Sequence, residues 1–433
     1  MANQFTTLQM GQKFKRTPAG DIPVDWEATT FQDSFDFLRT ANNSRSDLND
    51  TDEVGYLHYG DIHTKWRIRL RCDQADLPRI SESKVDGIPS LRNGDLVMAD
   101  ASEDYEGLGV SVEVCNLGEQ RIVAGLHTFL LRDKGGNFAD GFRGYIQFIP
   151  AVRQRLIQIA TGGSVYGLSK RNLSDIPIPR PPLEEQKKIA DILSAVDATI
   201  AKIAAVVRKT KELRNGLVRL IFDSKQGHGK SRTNQPIVSL RLLCELITKG
   251  TTPTTYGFKY TDSGVRFIKI ENIGENGRIL PSGITYISGE THQALRRSIL
   301  KKNDILFSIA GALGRSCVVT EDILPANTNQ AVAIIRLEKE KADPAYIRYF
   351  LDSDAIRSRI ENIGTQGAQI NLSLAQVGDM PIPLPPLAEQ RRIAGVIATL
   401  DNQIFSEMLF SRNLERTKLA LMRVLLTGKV RVP

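Results

Sequence analysis

The chain has 433 residues, 41% of them hydrophobic and 6% aromatic, with a net charge of +8 at pH 7. That length is too great for one compact core and predicts about two to four domains of ordinary soluble texture. No run approaches the ~18 apolar residues of a membrane span, and the polar opening MANQFTTLQMGQKFK has no signal-like apolar core, so the expectation is a cytoplasmic protein with no membrane partner. Cys72, Cys115, Cys244 and Cys317 are isolated and read as reduced thiols, not as a zinc site or a disulfide framework. The basic excess favours a polyanionic partner such as nucleic acid, with plain solubility as the other reading of so modest a charge.

In chain order, residues 1–180 are predicted as a globular segment of mixed texture. Within it His63-Thr-Lys-Trp-Arg-Ile-Arg-Leu-Arg alternates strictly; as a strand it puts Lys65, Arg67, Arg69 and Arg71 on one face and Trp66, Ile68 and Leu70 on the other. Four cations in a row would neutralise phosphates and make binding steeply salt-dependent. A plain amphipathic strand with a wet basic face is the alternative. Asn93-Gly-Asp-Leu-Val has the pattern of a strand start, residues 145–159 that of a helix, and Thr161-Gly162-Gly163-Ser164 that of a turn. The turn either approaches a backbone phosphate or simply reverses the chain.

Residues 181–225 read as one long helix. Pro181-Pro182 mark its start, with Glu184 and Glu185 in the first turn, where carboxylates meet the positive end of the helix dipole. Ile189, Leu193, Val196, Ile200, Ile203, Val207 and Thr210 step by alternating fours and threes, the a/d seam of a coiled coil. Forty residues of helix would be about 60 Å long, too long for the inside of an ordinary domain. A polar, Gly/Ser-rich linker follows, placed at 226–236.

A second globular segment is predicted over 237–380. Its β-type runs include Gly264-Val-Arg-Phe-Ile-Lys-Ile and Asp304-Ile-Leu-Phe-Ser-Ile, and residues 346–363 read as helical. Its hydroxyl-rich, amide-rich and basic turns supply candidate DNA contacts: Lys249, Thr251, Thr252, Lys269, Asn272, Arg315, Asn327, Asn329 and Gln330, with Gln366 in the turn matching Gly162-Gly163. Asn and Gln read adenine edges, and Arg and Lys read guanine or phosphate; amides are also common in turns for purely local reasons. Residues 381–430 form a second long helix whose seam is Ile393, Ile397, Leu400 and Ile404, then Glu407 and Ser411 where apolar residues are due, then Leu421 and Leu425.

The two halves repeat. PIPRPPLEEQKKIA at 177–190 recurs as PIPLPPLAEQRRIA at 381–394, ten of fourteen positions identical, 204 residues apart. The same offset holds for Tyr145/Tyr349, Leu168-Ser169/Leu372-Ser373 and Asp197/Asp401. The globular segments match poorly outside their C-terminal thirds. The expected fold is therefore α+β: two mixed α/β segments in tandem, each followed by a long helix, the helices pairing as an antiparallel coiled coil with pseudo-two-fold symmetry. A shared scaffold with two differing heads fits this division.

Catalytic signatures are missing from the sequence. Gly229-Lys230-Ser231 lacks the earlier glycine of a P-loop, the five histidines form no i, i+4 pair, and neither G-x-S-x-G nor an N-P-P-Y/F motif occurs. Asp100, Glu103 and Asp104 read as a solvated acidic loop in preference to a metal site.

The order of head, P-P-L-x-E-Q helix, head and the same helix again resembles the specificity (S) subunit of type I restriction-modification systems. Ile22-Pro-Val-Asp-Trp, Lys249-Gly-Thr-Thr-Pro and Ala326-Asn-Thr-Asn-Gln-Ala are also similar to segments of that family. The resemblance implies that each head is a target recognition domain reading one half of a split, asymmetric double-stranded DNA site. It implies further that the helices fix the spacing and dock two modification subunits, and that restriction subunits complete the assembly. S-adenosylmethionine, ATP and magnesium would belong to those partners, and this chain would be non-catalytic, with no cofactor of its own. A rod of about 60 Å spans roughly 18 base pairs, enough for separated half-sites. The alternatives are a specificity subunit of a methylation-only or other phage-defence system, and a coiled-coil scaffold for protein clients.

Overall fold

The computed structural model of the chain describes residues 13–222, 236–274, 276–363 and 371–432. Apart from Pro236, the expected linker lies outside them, as does Gln366. The chain forms two units, Met1–Lys202 with Phe410–Pro433, and Ile203–Leu409. Each contains one head, half of the first long helix (Leu183–Phe222) and half of the second (Leu387–Leu425).

In unit 1 the head is built on a five-stranded sheet in the order Phe35–Leu38, Thr128–Asp133, Leu96–Ala99, Ser111–Cys115, Ile68–Arg71. All neighbours are antiparallel except the last pair. Leu96–Ala99 is buried along its whole length, which explains its unbroken apolar texture. A second sheet pairs Ile122–Ala124 with Val54–Leu57 in parallel, and the latter with Arg79–Ile80. In unit 2 the four-stranded sheet runs Cys244–Lys249, Val332–Leu337, Ile305–Ser308, Ser316–Val318, and the other runs Tyr260–Thr261, Thr285–Ile287, Val265–Ile268, Ala326–Thr328 with a parallel last pair.

The heads thus share a strand plan that their sequences conceal. Asp95 opens its strand by accepting the Arg92 N–H (2.7 Å) while both its oxygens bind Arg132 (2.8 and 2.7 Å). Asp304 accepts the Lys301 N–H (2.7 Å) and binds Arg336 through both oxygens (2.7 Å each) in the same way. Bidentate pairing of a buried carboxylate satisfies its lone pairs and fixes the strand start. Asp95 of Asn93-Gly-Asp-Leu-Val and Asp304 thus hold the starts of equivalent strands by the same device.

The repeated motif pins head to helix. Gln186 donates to the Pro181 carbonyl (2.8 Å) and accepts from the Ala139 N–H (2.9 Å); Gln390 does the same with Pro385 (2.8 Å) and Asp343 (2.9 Å). About three turns further along each helix, the Tyr145 hydroxyl donates to Asp197 (3.0 Å) and the Tyr349 hydroxyl to Asp401 (2.9 Å). In unit 1 Lys418 faces Asp197 at 2.5 Å, and in unit 2 Arg214 faces Asp401 at 3.1 Å. The separation of 204 residues relates every member of the two Tyr–Asp–cation triads.

Within unit 1 the early turns of the first helix (Ile189, Leu193) join one core with the last turns of the second (Met422, Leu425). Within unit 2 the last turns of the first (Val218, Phe222) join the early turns of the second (Ile393, Ile397). The helices therefore run antiparallel within each unit. Val196, Ile200, Val207, Leu400 and Ile404 are half-buried and Ile203 is buried. Glu407 and Ser411, where the seam pattern turns polar, are half-buried as well. Ile200→Ala is expected to cost ~1–2 kcal/mol, about half the penalty of a fully buried site, seen as a lower urea midpoint. No change would remove Ile200 from the seam.

One helical expectation is corrected in part. Residues 346–363 are two helices, Pro344–Leu351 and Asp354–Ile363. The Ser353 N–H folds back onto the Phe350 carbonyl (3.0 Å), and the Ser353 carbonyl accepts from Arg357 (3.1 Å), ending one helix and starting the next.

Candidate nucleic-acid interface

The candidate residues of the second head divide into two groups. Lys249, Thr251 and Thr252 leave the end of Cys244–Lys249, Lys269 follows Val265–Ile268, and Asn329 and Gln330 follow Ala326–Thr328. Because the last two strands are parallel, with Ile268 opposite Thr328, their exits lie side by side. The Thr251 N–H donates to the Thr328 carbonyl (3.0 Å) and the Thr252 hydroxyl to the Gln330 amide oxygen. Gly250 allows this approach: a β-carbon there would collide with the carbonyl oxygens of Thr328 and Asn329. The Lys269 ammonium lies 4.5 Å from the Tyr260 ring centroid. Lys249 and Gln330 are exposed, and Thr251, Thr252, Lys269 and Asn329 half-exposed. Three neighbouring loops therefore present hydroxyl, amide and ammonium groups at one end of the head. Arg315 lies in the hairpin joining Ile305–Ser308 to Ser316–Val318, with a guanidinium nitrogen 3.5 Å from the Ile273 carbonyl.

Asn272 and Asn327 do not join that surface. Asn327 is wholly buried: its amide donates to Ser298 (2.9 Å) and Leu295 (3.3 Å), and its oxygen meets a His292 ring nitrogen at 2.5 Å. Asn272 is also buried and accepts from the Lys269 N–H (3.0 Å), closing a turn. Buried amides must be satisfied internally, and these two are, so they shape the loops and have no atom to spare for a base edge.

The basic run of the first head is corrected more deeply. Residues 59–64 are a short helix and only Ile68–Arg71 is strand. Ile68 has φ +70°, and the Arg69 N–H donates across it to the Arg67 carbonyl (2.7 Å), a tight turn that breaks the alternation. Lys65 lies 3.4 Å from Asp61 and Arg71 3.2 Å from Asp73, while Arg69 is half-buried against Gly141. Arg67 is exposed at the rim of a cavity of about 540 Å³, whose lining also holds Tyr59, His63, Glu103 and Asp104. No single face therefore holds all four cations, and carboxylates within the head hold two of them. Gly162 and Gly163 are exposed in the loop closed by Thr161 and Gly167, whose backbones exchange hydrogen bonds of 3.1 and 2.8 Å.

Beside that cavity the first head carries a cluster that sequence reasoning missed. Tyr59 packs against His58 (centroids 4.6 Å apart), His63 (6.0 Å) and His127 (5.3 Å). His127 Nδ1 lies 3.3 Å from Asp100, whose carboxyl is pushed above its usual range by burial. Burial likewise holds the His58 imidazole below its usual value, and its ring nitrogen accepts the Gly60 N–H (3.1 Å). The available signal was position, since these residues follow β-type runs as Lys269 and Gln330 do. Among the described residues no group of His, Cys, Asp and Glu has the arrangement of a metal site, and no helix is long and apolar enough to cross a membrane.

Comparison with known proteins agrees with the tandem plan. The family model described as the type I restriction modification DNA specificity domain matches residues 121–209 and 236–408. The putative type I restriction enzyme MjaX specificity subunit of Methanocaldococcus jannaschii is 25% identical, with 97% of each chain covered. The EcoBI specificity subunit of Escherichia coli is 29% identical over 59% of this chain and 60% of its own. The fold is similar to the crystal structure of the type I S subunit from M. genitalium, with a TM-score of 0.59, 14% identity and coverage of 92% and 96%. With the domain model matched in both tandem copies and across more than half of its residues, the chain belongs to the type I restriction-modification DNA specificity family.

Proposed function

We propose that each head reads one half of a bipartite DNA site, and that the paired helices hold the heads and dock two modification subunits. The observation that carries this reading is the twice-built anchor: Gln186 and Gln390, and the triads of Asp197 and Asp401, fasten two heads of one strand plan to two helices in the same manner. The chemistry at the loop ends meanwhile differs between the heads. A symmetric scaffold with unlike readers suits an asymmetric two-part target.

On this reading the chain is itself non-catalytic. S-adenosylmethionine is held by the modification subunits, and ATP and magnesium by restriction subunits that join them. Phe405 and Met408 on the second helix are apolar and about half exposed, Leu213 and Leu220 on the first are apolar and more exposed still, and they offer surface for the modification subunits.

The reading predicts the result of a head exchange. Replacing residues 237–380 with the matching segment of another specificity subunit, and mapping methylated adenines in cells that also carry the modification subunit, is expected to change one half of the methylated motif only. A change in both halves would refute the assignment of one head to one half.

A further inference from the structure

The heads can be aligned through their backbone hydrogen bonds without reference to side chains. The Ala41 N–H donates to the Ala124 carbonyl (2.9 Å) as Thr251 does to Thr328 (3.0 Å). Asp61 donates to the His58 carbonyl (2.9 Å) as Asn272 does to Lys269 (2.9 Å), and Asp100 to His127 (3.1 Å) as Ile309 does to Ala331 (2.9 Å). Strand register agrees: Leu57 lies opposite Ala124 as Ile268 lies opposite Thr328, and Leu38 opposite Leu130 as Thr248 opposite Ile334. These pairings set Arg39 at the position of Lys249, Asn42 at that of Thr252, His58 at that of Lys269, and Leu126 and His127 at those of Gln330 and Ala331.

We infer that the first head reads its DNA half-site through Arg39, Asn42, Tyr59 and His127, on the loops equivalent to those bearing Lys249, Thr252, Lys269 and Gln330, and not through the basic run at 65–71. The inference rests on the proposal that the heads read DNA. Three observations support it.

Both heads place an exposed cation, Arg39 or Lys249, at the residue leaving the equivalent strand. A cation on this rim suits a phosphate contact, which sets register and orientation. The three loops of the first head are also tied into one surface. The buried Tyr56 hydroxyl donates to the Asn43 carbonyl (2.7 Å) and accepts the Leu126 N–H (2.9 Å). The neighbouring groups complete the argument. His127 is half exposed, with Asp100 on Nδ1 and the Tyr59 ring edge-on at 82°, so Nε2 is the ring nitrogen left to meet a base edge. His58 is buried and occupied by Gly60, so it supports Tyr59 and does not read. In the basic run, Lys65 and Arg71 are already engaged by Asp61 (3.4 Å) and Asp73 (3.2 Å), which weakens their attraction for a phosphate.

The test uses the full chain with its modification subunit, a duplex carrying the cognate two-part site, and adenine-methylation mapping in cells. Arg39→Ala is expected to weaken specific binding about tenfold and to lower the salt slope by about one phosphate contact. His127→Ala is expected to relax base preference in one half of the motif, the half that a 237–380 exchange leaves unchanged. Arg71→Ala is the comparator and should alter neither measurement. Arg39 and His127 are exposed, so neither substitution removes a core contact; an unchanged melting transition verifies this. Wild-type binding and motif for both Arg39→Ala and His127→Ala would overturn the inference, as would a loss in Arg71→Ala equal to that in Arg39→Ala. Failure of the underlying proposal would look different, because the head exchange itself would then change both halves.

Discussion

Asp401→Ala is expected to destabilise the protein by ~3–5 kcal/mol, the range for removing one partner of a buried ion cluster. Asp401 accepts from Arg214 (3.1 Å) and the Tyr349 hydroxyl (2.9 Å), and a second guanidinium, Arg348, lies 3.7 Å away. Both arginine side chains are mostly buried, at 14% and 6% exposure, and among the described residues Asp352 is the further carboxylate that they share. Without Asp401 two desolvated cations would face one carboxylate. The counterpart Asp197→Ala is expected to cost only about 1–2 kcal/mol, the scale of a charged hydrogen bond, because Asp197 is 35% exposed and faces the flexible Lys418. Urea midpoints followed by far-ultraviolet circular dichroism compare the two variants. Equal losses would mean that Arg348 adds nothing to the unit 2 cluster.

Arg431→Ala is the second large effect, with an expected loss of ~3 kcal/mol or more in unit 1. The Arg431 guanidinium donates to both oxygens of Glu185 (2.6 and 2.7 Å) and both of Asp25 (2.9 and 2.6 Å). Glu185 is 3% exposed and its other side-chain donor is Trp26 Nε1 (2.9 Å), so the substitution strands a buried carboxylate beside a buried indole. Trp26 and Trp66 are the only tryptophans of the chain, and both lie in unit 1. A red-shifted emission with a lower unfolding midpoint is therefore the expected signature, and unchanged emission and midpoint would contradict it. Lysine at 431 should restore only part of the loss, since an ammonium cannot serve two carboxylates bidentately.

The same contact sets a pH dependence. The hydrogen bond from Arg431 holds the Asp25 carboxyl below its ordinary value of 3.8. A depressed carboxylate contributes its stability above the unfolded-state value and loses it as pH falls through the folded-state value. Wild-type protein should therefore lose unit 1 stability on acidification below about pH 4 more steeply than Arg431→Ala does. Asp25 is largely exposed, so solvent and salt reduce the size of that difference.

The helices were legible because their signal is local and periodic: alternating threes and fours from Ile189 to Val207 mark one face wherever the helix packs. The repeat was legible where its offset is constant, from Tyr145 to the end of each helix. Upstream the equivalent residues drift from 204 apart at His127 and Ala331 to 209 at Asp95 and Asp304, 210 at Arg39 and Lys249, and 211 at His58 and Lys269. Each loop of unequal length changes the offset, so a shared strand plan left no constant offset to find.

The candidate site was half legible for a related reason. Residue type pointed to polar turns, yet type alone does not separate Asn327, which is buried against the turn at Leu295–Ser298, from Gln330 three residues on, which faces solvent. The stripe at 65–71 failed because alternation predicts a strand only if the backbone stays extended, and Ile68 does not. The segments that carried the family resemblance are largely structural. Trp26 hydrogen-bonds Glu185 of the helix motif, and Asn327 ties its strand to the turn at Leu295 and Ser298.

The sequence placement of the two units has a consequence for synthesis. Unit 2 is one unbroken stretch, Ile203–Leu409, whereas unit 1 needs Phe410–Pro433 to complete the core begun by Met1–Lys202. The Arg431–Glu185 contact closes a loop of 246 residues, and long loops form late because their closure entropy must be met before the contact stabilises anything. On a ribosome the second head can therefore finish before the first. Until residue 431 emerges, Glu185 and Trp26 lack their guanidinium, and the earlier-made head is the later to mature.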